Sequence, residues 1–213
     1  MTEIIMVRHG ESLANIKGIF AGNIDAPLSD LGRRQAAATR DYLREKHFDA
    51  AYASDLVRAF ETAAVIAAGR DLTVHLDPRL REIHPGKWEG VKYDDLVWLY
   101  PHEYAEIWLH DVGHARCVDG ESTAELSERV CESLAEIARE NGGKTVLVAA
   151  HATPVRAAMC RAMGKPVAEL QSVPWVANAS FATLFIEGEN WSLGEYGTTS
   201  YLAGIATFLP KNC

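Results

Sequence analysis

The chain has 213 residues, of which 48% are hydrophobic and 23% charged, and its formal net charge is −8. This composition is that of an ordinary globular protein, large enough to bury a core without disulfides or metals. The negative charge argues against general nucleic-acid binding, which needs a basic face, and no apolar run has the length of a membrane span. We therefore expect one domain over residues 1–213, with no nucleic-acid or membrane partner.

The cysteines and the N-terminus bear on the cellular compartment of the protein. The cysteines form neither a C-x-x-C pair nor a metal-ligand spacing; they are Cys117, Cys131, Cys160 and Cys213. They predict free thiols in a reducing compartment. The N-terminus, MTEIIMVRHG, lacks the basic region of a signal peptide. We therefore expect a cytoplasmic protein.

Apolar runs of strand length alternate with segments of helical periodicity along the chain. The predicted strands are residues 4–7, 50–54, 72–76, 145–150, 180–187 and 191–196. The predicted helices are residues 27–46 with Ser29 or Asp30 as N-cap, about 57–68, and 93–110 with a break at Pro101. Two more follow, one after the capping box of Ser122 and Glu125 and one near Pro154.

This alternation predicts an α/β fold, a three-layer sandwich with a mostly parallel central sheet and helices on both faces. The run TVLVAA at residues 145–150 is apolar throughout, as expected for a central strand that is covered on both faces. In such folds, ligands bind at the carboxyl ends of the strands.

Side chains suited to phosphate chemistry follow four of the predicted strands. Arg8 and His9 follow the first strand, and Arg58 comes one helical turn after the second. Glu82 comes shortly after the third strand, and His151 follows the fourth. Each residue alone would more often be a surface or structural side chain. Because all of them reach one edge of the sheet, and because guanidinium groups match phosphate oxygens, the set predicts a phosphate site.

Several segments together resemble a known family. RHGESLAN, residues 8–15, resembles the signature of the histidine phosphatase superfamily, the phosphoglycerate mutase-like proteins. The resemblance continues through GNIDAPLSDLGRRQA, SDLVRAFETA, REIHPGKWEG, DGES and VLVAAHATPVRA, and so runs from residue 4 to about residue 160. This ordered set is much more specific than a lone R-H-G.

The resemblance implies a covalent phosphohistidine mechanism. His9 would be the nucleophile, as a neutral imidazole, although the sequence does not show which nitrogen attacks. Arg8, Arg58 and His151 would bind the phosphoryl oxygens as three positive groups. Glu82 would protonate the leaving alkoxide and then activate a water molecule.

The resemblance also implies further phosphate contacts from Asn15 and from the backbone N–H groups near Gly22 and Ala152. It implies no metal and no cofactor. One departure is the Ala-Thr-Pro segment after His151, where relatives commonly have two glycines; Pro154 offers no N–H. A second is His84, two residues after Glu82, which could tune the acid, assist the leaving group or point away.

The segment of residues 92–116, here called the aromatic segment, bears on the choice between phosphatase and mutase. It contains Trp98, Tyr100, Tyr104 and Trp108 and little Lys or Arg, whereas mutases of the family have a longer, basic insert. The segment is expected to be a lid over a substrate with an apolar or ring-bearing part, or else a helix pair that packs its own rings.

We therefore expect a metal-independent phosphomonoester phosphatase that acts on a small phosphorylated metabolite. The alternatives are a cofactor-dependent phosphoglycerate mutase, a phosphoprotein phosphatase and, least favoured, a non-catalytic binding module. A homodimer is left open. His110 and His114 have the i, i+4 spacing of helical zinc ligands, but Gly113 lies between them and no third ligand is evident.

Overall fold

The computed structural model describes residues 1–210 and contains a six-stranded sheet flanked by helices. The strands are β1 (Thr2–Arg8), β2 (Ala50–Ala53), β3 (Val74–Leu76), β4 (Thr145–Ala150), β5 (Phe181–Glu187) and β6 (Asn190–Tyr196). The α-helices are α1 (Leu13–Lys17), α2 (Asp30–Tyr42), α3 (Val57–Ala67), α4 (Tyr93–Leu99), α5 (Thr123–Glu140) and α6 (Ala152–Ala162). A π-helix spans Pro101–Trp108, and short 3₁₀ helices span Pro78–Leu80, Gly86–Trp88, Val112–His114, Val167–Ser172 and Ser200–Leu202.

The strand order in the sheet is β3-β2-β4-β1-β5-β6. The pairs β1–β4, β2–β4 and β2–β3 are parallel, whereas β5 runs antiparallel to both β1 and β6. The predicted, mostly parallel sheet is confirmed. Only β5 runs against the other strands: it is antiparallel to β1, and the hairpin that joins it to β6 makes the second antiparallel pair.

The sheet is the middle of three layers. Alternate residues of β1 point to opposite faces, as in any strand. Ile4 and Met6 pack in one core with side chains of α5 and α6, and Ile5 and Val7 pack in a second core that includes Ile66 of α3. The predicted three-layer arrangement is therefore confirmed.

Helix α5 begins at the predicted capping box. The Ser122 hydroxyl accepts the N–H of Glu125, and the Glu125 carboxylate accepts the N–H of Ser122. The stripe that periodicity predicted is buried; it consists of Leu126, Val130, Leu134, Ile137 and Ala138. Helix α2 begins at its predicted N-cap, Ser29, but ends at Tyr42 rather than at residue 46. The chain turns there, and the Arg70 guanidinium binds the carbonyls of Leu43 and Lys46.

Two glycines bring the loop after β1 against the first turn of α2. A Cβ atom at Gly10 would lie 2.4 Å from the carbonyl oxygen of Gly32, and one at Gly32 would lie 2.0 Å from that of Glu11. No side chain fits at either position unless the backbone moves. This close contact fixes the loop that follows His9.

Candidate active site

His9 lies at the carboxyl end of β1 with its ring buried. Its Nδ1 is 2.7 Å from the carbonyl oxygen of Gly10. Because a carbonyl can only accept, Nδ1 carries the proton of the neutral ring and Nε2 keeps its lone pair. Burial lowers the pKa of His9 well below its usual value, and the positive charges of Arg58 and Arg8 lower it further. At neutral pH the ring is therefore uncharged, with its lone pair on Nε2.

Arg8 and Arg58 are both buried and line one pocket with His9. Arg8 donates from Nη1 to the carbonyl of Val176 at 2.6 Å. Arg58 donates to the carbonyls of Ile24 and Gly22, both at 2.7 Å. Burial lowers the pKa of Arg58 to about 10, although the Glu82 charge opposes the shift. Arg58 therefore stays positive at neutral pH.

His151 follows β4 and is fully buried beside His9. The two ring centroids are 5.1 Å apart, with an angle of 64° between the planes. Nε2 is 2.8 Å from the Ser54 hydroxyl, and Nδ1 has no partner among the described residues. Burial, followed by the charge of Arg58, lowers the pKa of His151. In contrast to the expectation of three cations, His151 is neutral in this state, and the cations of the set are Arg8 and Arg58.

Glu82 lies on the loop after β3, half-buried, and its carboxylate lines the same pocket. It accepts the N–H of Ile83 at 2.9 Å and that of Thr153 at 3.4 Å. Thr153 is in the first turn of α6, where backbone N–H groups favour a negative charge. The pocket therefore combines an uncharged imidazole, two cations and one carboxylate.

The pocket has about 480 Å³ of space between its atoms, including its open mouth. Asn15, Gly22 and Ala152 line it. The residues that the sequence singled out for the site therefore all line the pocket except His151, whose ring lies 5.1 Å from that of His9. Its other lining residues are Ser12, Phe20, Ala21, Tyr93, Trp108, Thr153, Trp175 and Leu209.

Several residues of the site were not predicted from the sequence. Trp175 lines the pocket, and Asn178 donates from Nδ2 to the carbonyl of His9 at 3.0 Å. Both belong to the loop before β5, which carries no motif. Ser54 and Thr62 occur in the SDLVRAFETA segment without an assigned role. Here Ser54 binds His151, and Thr62 accepts the N–H of Gly10 at 3.1 Å.

The aromatic segment forms α4 and the π-helix, with the predicted break at Pro101. Its rings pack against the core, with centroid distances from Trp88 of 5.2 Å to Tyr104 and 5.7 Å to Trp108. Trp108 also lines the pocket, whereas Trp98 is 84% exposed. The rings of the segment thus pack against Trp88, which lies outside the segment, and Trp108 contributes to a wall of the pocket.

The remaining histidines lie away from this chemistry. His84 is exposed and outside the pocket lining, and its Nδ1 accepts the N–H of Gly86 at 3.3 Å. His114 contacts Asp111 at 2.9 Å. Within residues 1–210, no cluster of three or more His, Cys, Asp or Glu side chains is arranged to bind a metal ion. Over the same residues, no helix is both long enough and apolar enough to cross a bilayer.

Comparisons with known proteins give a matching family model and similar structures. Residues 4–199 match the family model of the histidine phosphatase superfamily, branch 1. Phosphoserine phosphatase 1 of Hydrogenobacter thermophilus is 32% identical over 187 residues, which are 88% of each chain. The structure of Bacillus stearothermophilus YhfR has a TM-score of 0.89 at 28% identity, over 95% of this chain and all of that one. The structure of mycobacterial glucosyl-3-phosphoglycerate phosphatase with VO3 has a TM-score of 0.85 at 28% identity, over 92% of this chain and 98% of that one.

Proposed function

This chain belongs to the histidine phosphatase superfamily, and from that premise we propose that it hydrolyses small phosphomonoesters through a phosphohistidine on Nε2 of His9. Its relatives make it a phosphoric monoester hydrolase. The observation that carries the proposal is the hydrogen bond from His9 to the Gly10 carbonyl, which leaves Nε2 as the lone-pair nitrogen beside two guanidiniums. An uncharged, oriented imidazole is the form that can attack phosphorus.

The reaction has two transfer steps. In the first, a bond forms between Nε2 of His9 and phosphorus while the bond from phosphorus to the alcohol oxygen breaks, and Glu82 gives its proton to the leaving alkoxide. In the second, Glu82 takes a proton from water as the water oxygen attacks phosphorus. The bond to Nε2 then breaks and phosphate leaves. The same carboxyl group thus acts first as acid and then as base.

The charge on the phosphoryl oxygens is stabilised mainly by Arg8 and Arg58, since both are fixed before substrate arrives. The first N–H groups of α6, next to Ala152, add partial positive charge. If the Ser54 hydroxyl donates to Nε2 of His151, 2.8 Å away, the ring proton is on Nδ1, the buried nitrogen that has no partner among residues 1–210. His151 would then be a neutral donor rather than a third cation.

The substrate is a small phosphorylated metabolite. H. thermophilus phosphoserine phosphatase 1 and the mycobacterial glucosyl-3-phosphoglycerate phosphatase are both named for small phosphomonoesters. Tyr93, Trp108, Trp175 and Leu209 give the pocket an apolar wall, which suits a substrate whose alcohol has an apolar or ring-bearing part. Water, rather than a second alcohol, is the final acceptor.

We further propose a cytoplasmic location, supported by the free thiols of Cys117, Cys131 and Cys160. Cys213 lies outside the described residues. A homodimer also stays a proposal, and light scattering of the purified protein measures it directly.

Trapping of the phosphoenzyme tests the mechanism. Wild-type protein quenched during turnover of a radiolabelled phosphomonoester should carry label that is labile to acid and stable to base, as phosphohistidine is. His9→Ala should carry none and should lose nearly all turnover, because the variant lacks the imidazole that takes the phosphoryl group. Vanadate should raise the Tm of the wild type, since a ligand that binds only the folded state stabilises it.

His84→Ala is the matched control, because His84 is exposed and outside the pocket. It should label and turn over like the wild type. Undiminished turnover in His9→Ala would refute the mechanism. Interconversion of 2- and 3-phosphoglycerate with a bisphosphoglycerate primer, faster than hydrolysis of any monoester, would make the protein a mutase. Hydrolysis confined to phosphoproteins would exclude the metabolite substrate.

A further inference from the structure

Arg129, in the second turn of α5, forms a bidentate ion pair with Glu121, which lies just before the N-cap of the same helix. Nε of Arg129 is 2.6 Å from Oε1 of Glu121, and Nη2 is 2.8 Å from Oε2. The side chains are only 22% and 13% exposed. Such fork-to-fork contacts between charged groups are both strong and directional. Neither residue is among those that line the pocket.

The ion pair binds the backbone on both sides of Glu82. Arg129 donates to the carbonyls of Arg79 at 2.6 Å, Arg81 at 2.8 Å and Glu82 at 3.1 Å. Glu121 accepts the N–H of His84 at 3.0 Å through its carboxylate. Its own N–H donates to the His84 carbonyl at 2.8 Å. The chain is thus fixed immediately before, at and after the proposed acid.

The Glu82 carboxylate itself has weaker constraints. One of its oxygens accepts from the adjacent N–H of Ile83, and the other is 3.4 Å from the N–H of Thr153. Neither contact would by itself fix where the carboxyl group lies relative to the substrate. The position of the loop backbone therefore determines the position of the acid.

We propose that Arg129 and Glu121 are positioning residues that place Glu82 for proton transfer to the leaving alcohol. The proposal rests on the proposed function, in which Glu82 is the acid. A proton is transferred well only over hydrogen-bond distance, and a displacement of about 1 Å can cost about 10²-fold in rate. Lysine at position 129 keeps the charge, but its single ammonium group cannot contact three carbonyls and both oxygens of Glu121 at once.

The test compares two substrates that differ in their need for an acid. An alkyl phosphate needs a proton on its leaving alkoxide, whereas 4-nitrophenyl phosphate releases a stable phenolate. For Arg129→Lys, kcat/KM should fall about 10- to 100-fold more for the alkyl ester than for the nitrophenyl ester. Glu82→Gln should show the same selectivity, larger, at about 10²- to 10⁴-fold. Glu121→Gln, which loses one side of the bidentate pair, is the second variant and should lie between Arg129→Lys and wild type.

Arg70→Lys is the matched control, because Arg70 also donates to three backbone carbonyls, those of Leu43, Lys46 and Ile66, but outside the site. It should lose stability without any change in the ratio of the two kcat/KM values. Equal losses for both esters in Arg129→Lys and Glu121→Gln, with Glu82→Gln selective, would overturn the positioning role alone. An unselective Glu82→Gln would instead overturn the assignment of Glu82 as the acid.

Discussion

At the scale of single residues, the site combines two neutral imidazoles with two buried guanidiniums. His9 and His151 lie edge to face, and the pKa of each is lowered first by burial and then by Arg58. Two protonated rings so close to two arginines would place four positive charges in a pocket with one carboxylate. The desolvation that keeps His9 neutral is therefore also what keeps its Nε2 nucleophilic.

The same pKa shifts predict how stability depends on pH. In the unfolded chain a histidine titrates near about pH 6.5. In the folded protein, the pKa values of His9 and His151 lie well below that value, so the unfolded state binds more protons as the pH falls. Stability should be fully present above about pH 6.5 and should decrease below it by up to about 1.4 kcal/mol per pH unit for each histidine.

Urea denaturation at pH 7, 6 and 5 measures this dependence. His9→Gln and His151→Gln should each make the decrease between pH 7 and pH 5 less steep than in the wild type. Asn141→Ala, which changes a buried side chain that does not titrate, should leave the slope unchanged. If His9→Gln and the wild type lost stability equally over this range, His9 would not be buried in its neutral form.

At the scale of elements, the aromatic segment packs into the hydrophobic core through its buried rings. Trp108 packs edge to face with Phe20 at 5.4 Å and with Trp88 at 5.7 Å, and these centroid distances are those of favourable aromatic pairs. Phe20 and Trp108 also line the pocket. One side chain therefore supports the π-helix and shapes the wall that faces the substrate.

Two tryptophans of this segment make a matched test. Trp108→Ala removes a buried ring and should lower the free energy of unfolding by about 3–5 kcal/mol. Trp98→Ala removes a ring that is 84% exposed and should change it by no more than about 0.5 kcal/mol. Trp108→Phe should recover much of the loss, because the indole N–H of Trp108 has no partner among the described residues. Equal effects of the two alanine variants in chemical denaturation would contradict this packing.

At the scale of the whole molecule, the sheet topology brings the site together. The parallel strands β1, β2 and β4 end at one edge of the sheet. Arg8, Ser54 and His151 lie at these three strand ends. Strand β5 runs antiparallel to β1, so it begins at that same edge. The loop before β5 therefore reaches the site, where Val176 binds Arg8 and Asn178 binds the backbone of His9.

This topology also explains what the sequence could and could not predict. The residues after the parallel strands were found because ligand sites of α/β folds lie at those strand ends. The loop before β5 was missed because periodicity locates a strand but does not show its direction or its neighbour. The neutral state of His151 was missed for another reason. It depends on the summed burial and charge around the ring, which no single residue type indicates.

Asn178 tests whether the antiparallel half of the sheet completes the site. It donates to the His9 carbonyl at 3.0 Å and accepts from the Thr207 hydroxyl at 3.1 Å. Asn178→Ala should cost about 1–3 kcal/mol of stability and should lower kcat/KM at least about 10-fold, because the His9 backbone loses a fixed partner. Asn141, which is also buried, donates to the Ile137 carbonyl and the Tyr52 hydroxyl instead. Asn141→Ala should therefore lose similar stability but keep its kcat/KM at temperatures where it is folded. Equal losses of activity in both variants would show that the loop before β5 only stabilises the fold.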